Sequence, residues 1–260
     1  MPAPAAGREA GAPLLTVSNV SKVFGGLVTA LDGMSLSLGD GDFVSLLGPS
    51  GCGKSTALRL MAGLTHPTTG QIRWREGTEP DLGVVFQEPT LAPWSTVFGN
   101  VWLPLRLRGI SRRGARDEVE AAIASVGLAG FEKAYPRELS GGMKMRVSIA
   151  RAMVTRPRLL LMDEPFAALD EITRFKLNDD VLALQRQLGC TVVFVTHSVF
   201  ESVFLSSRIV VMAARPGRVV HDIDNATEVA RNESFRTSAD YAARCRDVSA
   251  ALRHAMGEGG

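Results

Sequence analysis

Short apolar strands and amphipathic helices alternate along much of this chain. Leu14 to Val20 alternates apolar and polar positions, which predicts a strand at a sheet edge. Met34 to Leu38 predicts a second strand, and Asp42 to Leu47 a third that runs into a glycine-rich turn. Lys54 to Leu64 then has helical spacing, with Leu58, Met61 and Ala62 on one face. Gly70 to Trp74 and Gly83 to Phe86 read as further short strands. From Pro89 to Leu139 the pattern turns helical, most clearly over Arg116 to Val126, where Val119, Ala122, Ile123 and Val126 share a face. Strands return at Leu159 to Met162, Thr191 to Val195 and Ile209 to Met212. Helices are expected between them at Ile172 to Leu188 and Ser198 to Leu205, and a last one at Ala239 to Met256. The pattern predicts an α/β sheet domain with a helical subdomain inserted at about 89–139 and no internal repeat.

Composition narrows this further. With 260 residues, 45% of them apolar, the chain has ample core for one large domain. The opening MPAPAAGREAGAP lacks the apolar centre of a signal peptide and reads as a disordered tail over residues 1–13. No apolar run approaches bilayer length, so any membrane role is expected to come through a partner. A net charge of +2 is too small to argue for nucleic acid, and no nucleic-acid partner is expected. Cys52, Cys190 and Cys245 are odd in number, widely spaced and without a CxxC pair, which fits free thiols in a reducing compartment. Cys52 reads as a small residue filling a variable position of the glycine loop, or else as an oxidation-sensitive thiol.

The chemistry sits in four short segments. GPSGCGKST, from Gly48 to Thr56, follows a strand and opens a helix, the context a phosphate-cradling loop requires. Gly48, Gly51 and Gly53 let backbone N–H groups approach phosphate oxygens, and the helix adds its positive end. Pro49, Ser50, Cys52 and Thr56 complete the loop. Lys54 is placed to reach β- and γ-phosphates, and the Ser55 hydroxyl to ligate Mg²⁺. LLLMDEP, Leu159 to Pro165, delivers Asp163 and Glu164 to the end of an apolar strand, two adjacent carboxylates that can divide the labour, with Asp163 suited to the metal. LSGGM, Leu139 to Met143, opens a helix with a serine and two glycines, an anion site by its unpaired N–H groups. Thr196-His197 follows a late strand.

Taken in this order, the segments resemble the ATP-binding cassette (ABC) ATPases over about Leu14 to Val220. The resemblance implies a phosphate-loop ATPase core sheet with an inserted helical subdomain (residues 14–222) followed by a C-terminal helical extension (223–260). It implies ATP and Mg²⁺ as cofactors. Phe24 would stack on adenine, and Gln87 would sense the metal and the water. Glu164 would polarise the attacking water, and His197 would contact the γ-phosphate. Ser140, Gly141 and Gly142 would cap the γ-phosphate held by a second copy, so a head-to-tail homodimer is expected. Met143 stands where the family usually has Gln. Ala168-Leu169-Asp170 corresponds to the loop lining that dimer interface, with Asp170 also serving as a helix N-cap.

FQEPTLAPWSTVFGNVWLPL, Phe86 to Leu105, and DEPFAALDEITR, Asp163 to Arg174, resemble the ATPases of nitrate, sulfonate and taurine importers. That implies a peripheral subunit on the cytoplasmic face of the inner membrane. It would drive permease subunits fed by an extracytoplasmic solute-binding protein. Pro89, Leu91, Pro93 and Trp94 would form a stiff apolar docking surface for the permease, with packing of the helical subdomain as the alternative for Trp94. The segment after Asn225 departs from the subfamily, lacking its proline-and-arginine stretch. The alternative functions are another importer cargo, export, or a soluble ABC ATPase; the last would need two cassettes or a long coiled-coil insertion.

Overall fold

In the computed structural model, residues 11–76 and 81–257 are described. The expected N-terminal tail lies, over residues 1–10, outside the described residues. Strands in chain order are β1 (Leu15–Phe24), β2 (Val28–Leu38), β3 (Phe43–Leu47), β4 (Thr69–Trp74), β5 (Leu82–Val85), β6 (Leu159–Asp163), β7 (Thr191–Thr196), β8 (Arg208–Ala213) and β9 (Arg218–Asp224). Helices are α1 (Lys54–Met61), α2 (Val97–Leu107), α3 (Arg116–Ser125), α4 (Gly141–Met153), α5 (Glu171–Leu188), α6 (Val199–Leu205), α7 (Glu233–Arg236) and α8 (Ala239–Ala255).

The chain forms two compact units. The first holds residues 11–76 and 193–257. Its antiparallel sheet has the order β2-β1-β4, with irregular register along β1. Beside this sheet β3 pairs parallel with β8, and β8 pairs antiparallel with β9. Every residue of β3 is buried, which is why it reads as a continuous apolar run rather than an alternation. β9 was not expected: RVVHDID is polar and half-exposed, as befits an edge strand.

The C-terminal segment is part of this first unit's core. Cys245 and Val248 of α8 pack with Leu47, Val203, Ile209 and Val211. The last turn of α6 leaves carbonyls that need donors. Asn225 Nδ2 donates to Val203 O at 3.0 Å and Ser206 O at 2.7 Å, and Arg231 adds a bond to Phe204 O at 2.9 Å.

The second unit holds residues 81–192. β5 and β6 run parallel, and α2, α3 and α4 pack on one another. Pro104 lies inside α2 yet does not end it. Thr96 caps that helix, accepting from Gly99 N at 3.2 Å.

Candidate functional site

In the first unit, the phosphate loop joins β3 to α1 as expected. Gly51 and Gly53 have φ of +77° and +90°, the left-handed region that side chains disfavour. A Cβ at Gly48 would lie 2.6 Å from Met212 O, and one at Gly53 2.6 Å from Ala30 O, so both positions require glycine. The Lys54 side chain is 4% exposed and curls over the loop, donating to Gly48 O at 2.8 Å and Pro49 O at 3.0 Å. Its ammonium is thereby held over the cradle, with Ser55 and Thr56 beside it at the start of α1. Cys52 is fully buried; burial pushes its thiol pKa up, only partly opposed by Lys54. The thiolate is disfavoured, and the small-residue reading of Cys52 holds over the oxidation-sensitive one.

Phe24 ends β1 and is 46% exposed, with Lys22 Nζ 5.1 Å from its ring centroid. An exposed ring at a strand end is available to stack rather than fill the core. His197 follows β7 on an exposed turn.

In the second unit, β6 carries Asp163, 8% exposed, and Glu164 follows with φ +43°. A glutamate in left-handed backbone costs conformational energy, a kind of strain that clusters at functional sites. Gln87 is exposed just beyond β5. Ser140 caps α4, accepting from Met143 N at 3.3 Å, and Asp170 caps α5, accepting from Thr173 N at 2.9 Å. The two caps are close: a Cβ at Gly142 would lie 2.9 Å from Thr173 Cγ2. Ser140 and Gly141 are exposed, so their N–H-rich helix start faces outward.

The segment after Gln87 is held by residues that sequence reasoning missed. Arg151 of α4 donates to Thr90 O at 2.8 Å and Pro89 O at 2.9 Å. Asn100, 1% exposed, accepts from Ala92 N at 2.7 Å and donates to Ser95 O and Thr96 O, both at 3.0 Å. With its base pinned, Trp94 stands 82% exposed, which decides against the packing reading. Beside it lies a groove of about 370 Å³ lined by Ala92, Thr96, Trp102, Arg106 and Tyr135.

The ABC transporter family model matches residues 31–167. The chain belongs to the ABC transporter family. It is 46% identical over 234 residues to an uncharacterized ABC transporter ATP-binding protein of Methanocaldococcus jannaschii, covering 87% of this chain and 86% of that one. It is 42% identical to an aliphatic sulfonates import ATP-binding protein of Bacillus thuringiensis, over 86% of this chain and 90% of the relative. A nitrate import ATP-binding protein of Synechocystis is 38% identical, over 92% of this chain and 95% of the relative. Among solved structures, a dimeric bacterial ABC transporter cassette matches with a TM-score of 0.73 at 31% identity, covering 82% of this chain and 99% of that one. The fold is that of an ABC nucleotide-binding domain, and the chain is an ABC ATPase of an importer-like system.

No helix among the described residues is long and apolar enough to cross a membrane. Ser55 in the first unit, and Gln87 and the buried Asp163 in the second, each offer a hard oxygen donor of the kind Mg²⁺ takes. One carboxylate with few other protein ligands suits an ion that shares its shell with substrate phosphates and water.

Proposed function

We propose that this chain energises an importer of a small anionic or polar solute, such as a sulfonate, taurine or nitrate. The observation that carries the reading is Trp94, held out by Asn100 and Arg151 beside an open groove: a rigid aromatic anchor suited to a partner's helix. That partner is a permease, whose subunits this chain meets at the cytoplasmic face of the inner membrane as a peripheral subunit. An extracytoplasmic solute-binding protein delivers the cargo. Similarity to sulfonate and nitrate import proteins supports the cargo class.

The chemistry assigned to each residue follows from its type and setting. Backbone N–H groups of the Gly48 to Thr56 loop, Ser50 and Cys52 among them, cradle the phosphates of ATP, Pro49 shapes the turn without a donor of its own, and Lys54 neutralises β- and γ-oxygens. Phe24 stacks on the adenine. Ser55, Asp163 and Gln87 would hold Mg²⁺, which when bound would offset the charge developing on the transferred phosphoryl group. Glu164 orients and polarises the attacking water, and His197 contacts the γ-phosphate. Ser140, Gly141 and Gly142 cap the nucleotide of a second copy, so two chains close head to tail and a monomer lacks part of each transition-state shell. The similarity to a dimeric cassette supports that arrangement. In domain terms, residues 14–222 form the cassette and 223–260 an extension.

Growth tests the cargo. A strain lacking this chain should fail with an alkanesulfonate or taurine as sole sulfur source, or with nitrate as sole nitrogen source, while growing on sulfate and ammonium. Normal growth on all of them would remove this solute class.

A further inference from the structure

His197 sits on a turn closed by a ring of side-chain bonds. Thr196, the last residue of β7, is 2% exposed, and its Oγ1 accepts from Ser198 N at 3.0 Å. Ser198 Oγ accepts from Glu201 N at 3.3 Å. The Glu201 carboxylate, 7% exposed, accepts a hydrogen bond from the Thr196 hydroxyl. The residues on both sides of His197 are therefore fixed to each other and to the first turn of α6, while the histidine itself is exposed. The pattern Ser198-x-x-Glu201 would ordinarily make a capping box, with the glutamate reaching back to the cap residue's N–H. Here Thr196 takes that N–H, and the glutamate holds the threonine.

The outside of the same turn is braced by the C-terminal helix. Tyr241 of α8 donates to Phe200 O at 3.0 Å. α6 is thus fastened at its start by the ring and α8, and at its end by Asn225 and Arg231.

We propose that Glu201 is a positioning residue for ATP hydrolysis, acting through the Thr196 hydroxyl to hold the His197 turn in its working geometry. The proposal rests on the reading of His197 as the residue that meets the γ-phosphate. Glu201 does not touch nucleotide; its contribution is to the orientation of the histidine. Losing a partner that orients a metal-ligating histidine costs about 10- to 100-fold in activity, and a loss of that order is expected where the histidine must meet a γ-phosphate.

The test uses the full chain as purified, with three variants. Glu201→Ala should lower kcat about 30-fold while MgATP affinity, read with a fluorescent analogue, stays within about threefold. Glu201→Gln keeps an acceptor for Thr196 and should recover kcat to within about fivefold of the parent. Glu201→Asp keeps the charge but shortens the reach, and should fall between them. The second readout is direct. The chain has four histidines, so the ring resonances of ¹⁵N-histidine-labelled protein are few. His197 should shift or broaden in the alanine variant and return towards the parent position in the glutamine variant, with the other three unmoved. A loss of turnover with unmoved His197 signals, or unchanged turnover in Glu201→Ala, overturns the proposal. If Glu201→Ala does not fold, the Asp and Gln variants carry the same two readouts. A His197→Ala chain with parental turnover would instead overturn the reading of His197 itself, which separates the two failures.

Discussion

Arg151, in the last turn of α4, donates its guanidinium to the carbonyl of Thr90 at 2.8 Å. The bond joins the helix that begins at the Ser140-Gly141-Gly142 start to the segment that follows Gln87, 61 residues away in sequence. Burial lowers the Arg151 pKa, a cost met by four acceptors: Thr90 O, Pro89 O, Thr90 Oγ1 and Ser148 Oγ. A movement of either segment is therefore felt by the other through one side chain.

Arg151→Ala removes the bonds to the Pro89 and Thr90 carbonyls, which water can partly replace, and should destabilise the chain by about 0.5–1.5 kcal/mol. Limited proteolysis should show new cleavage near residues 88–96. Parental stability and an unchanged cleavage map would mean that the segment is held by something else.

Glu164→Gln keeps shape but removes the carboxylate. Binding of ATP should persist, a closed dimer should accumulate on size exclusion with MgATP, and turnover should drop by about 100-fold or more. Hydrolysis at the parental rate would remove Glu164 as the base.

Lys54→Ala deletes a cation held over the phosphate loop by Gly48 O and Pro49 O. Charge-assisted bonds of about 1.5–3 kcal/mol correspond to a roughly ten- to hundredfold loss of ATP affinity. Nucleotide titration reads this directly, and an unchanged Kd would contradict the assignment.

Burial pushes the Cys190 thiol up to about 11. In the unfolded chain a thiol ionises near about pH 8.5. Below that pH both states carry the proton and the contribution is fully present. Above it the unfolded chain releases its proton first, so stability falls until the folded thiol also ionises. Between pH 9 and 11 the parent should therefore lose about 2 kcal/mol more than Cys190→Ala, read by urea unfolding at each pH. Parallel pH profiles for the two chains would contradict this.

How much of the molecule could be read from the sequence depended on where each residue's partners lie. β3 and β6 were legible because each is buried throughout and reads as an unbroken apolar run. The caps Ser140 and Asp170 were legible because their partners sit three residues away. β9 was not, because an edge strand such as RVVHDID has no buried face to impose alternation. Arg151 and Asn100 escaped for a different reason: a polar residue in a helix looks solvated until the loop that folds onto it is known. The same holds for Glu201, although its spacing from Ser198 was a usable signal. Trp94 stood between docking and packing in the sequence, and its 82% exposure separated the two.

Whether this ATPase works on a membrane partner is read by co-purification. The tagged chain would be drawn from gently solubilised native membranes and its companions identified by mass spectrometry, alongside a Trp94→Ala chain. A multi-spanning permease is expected with the parent, and much less of it with the variant. Recovery of cytosolic partners alone, such as ribosomal proteins, would contradict it.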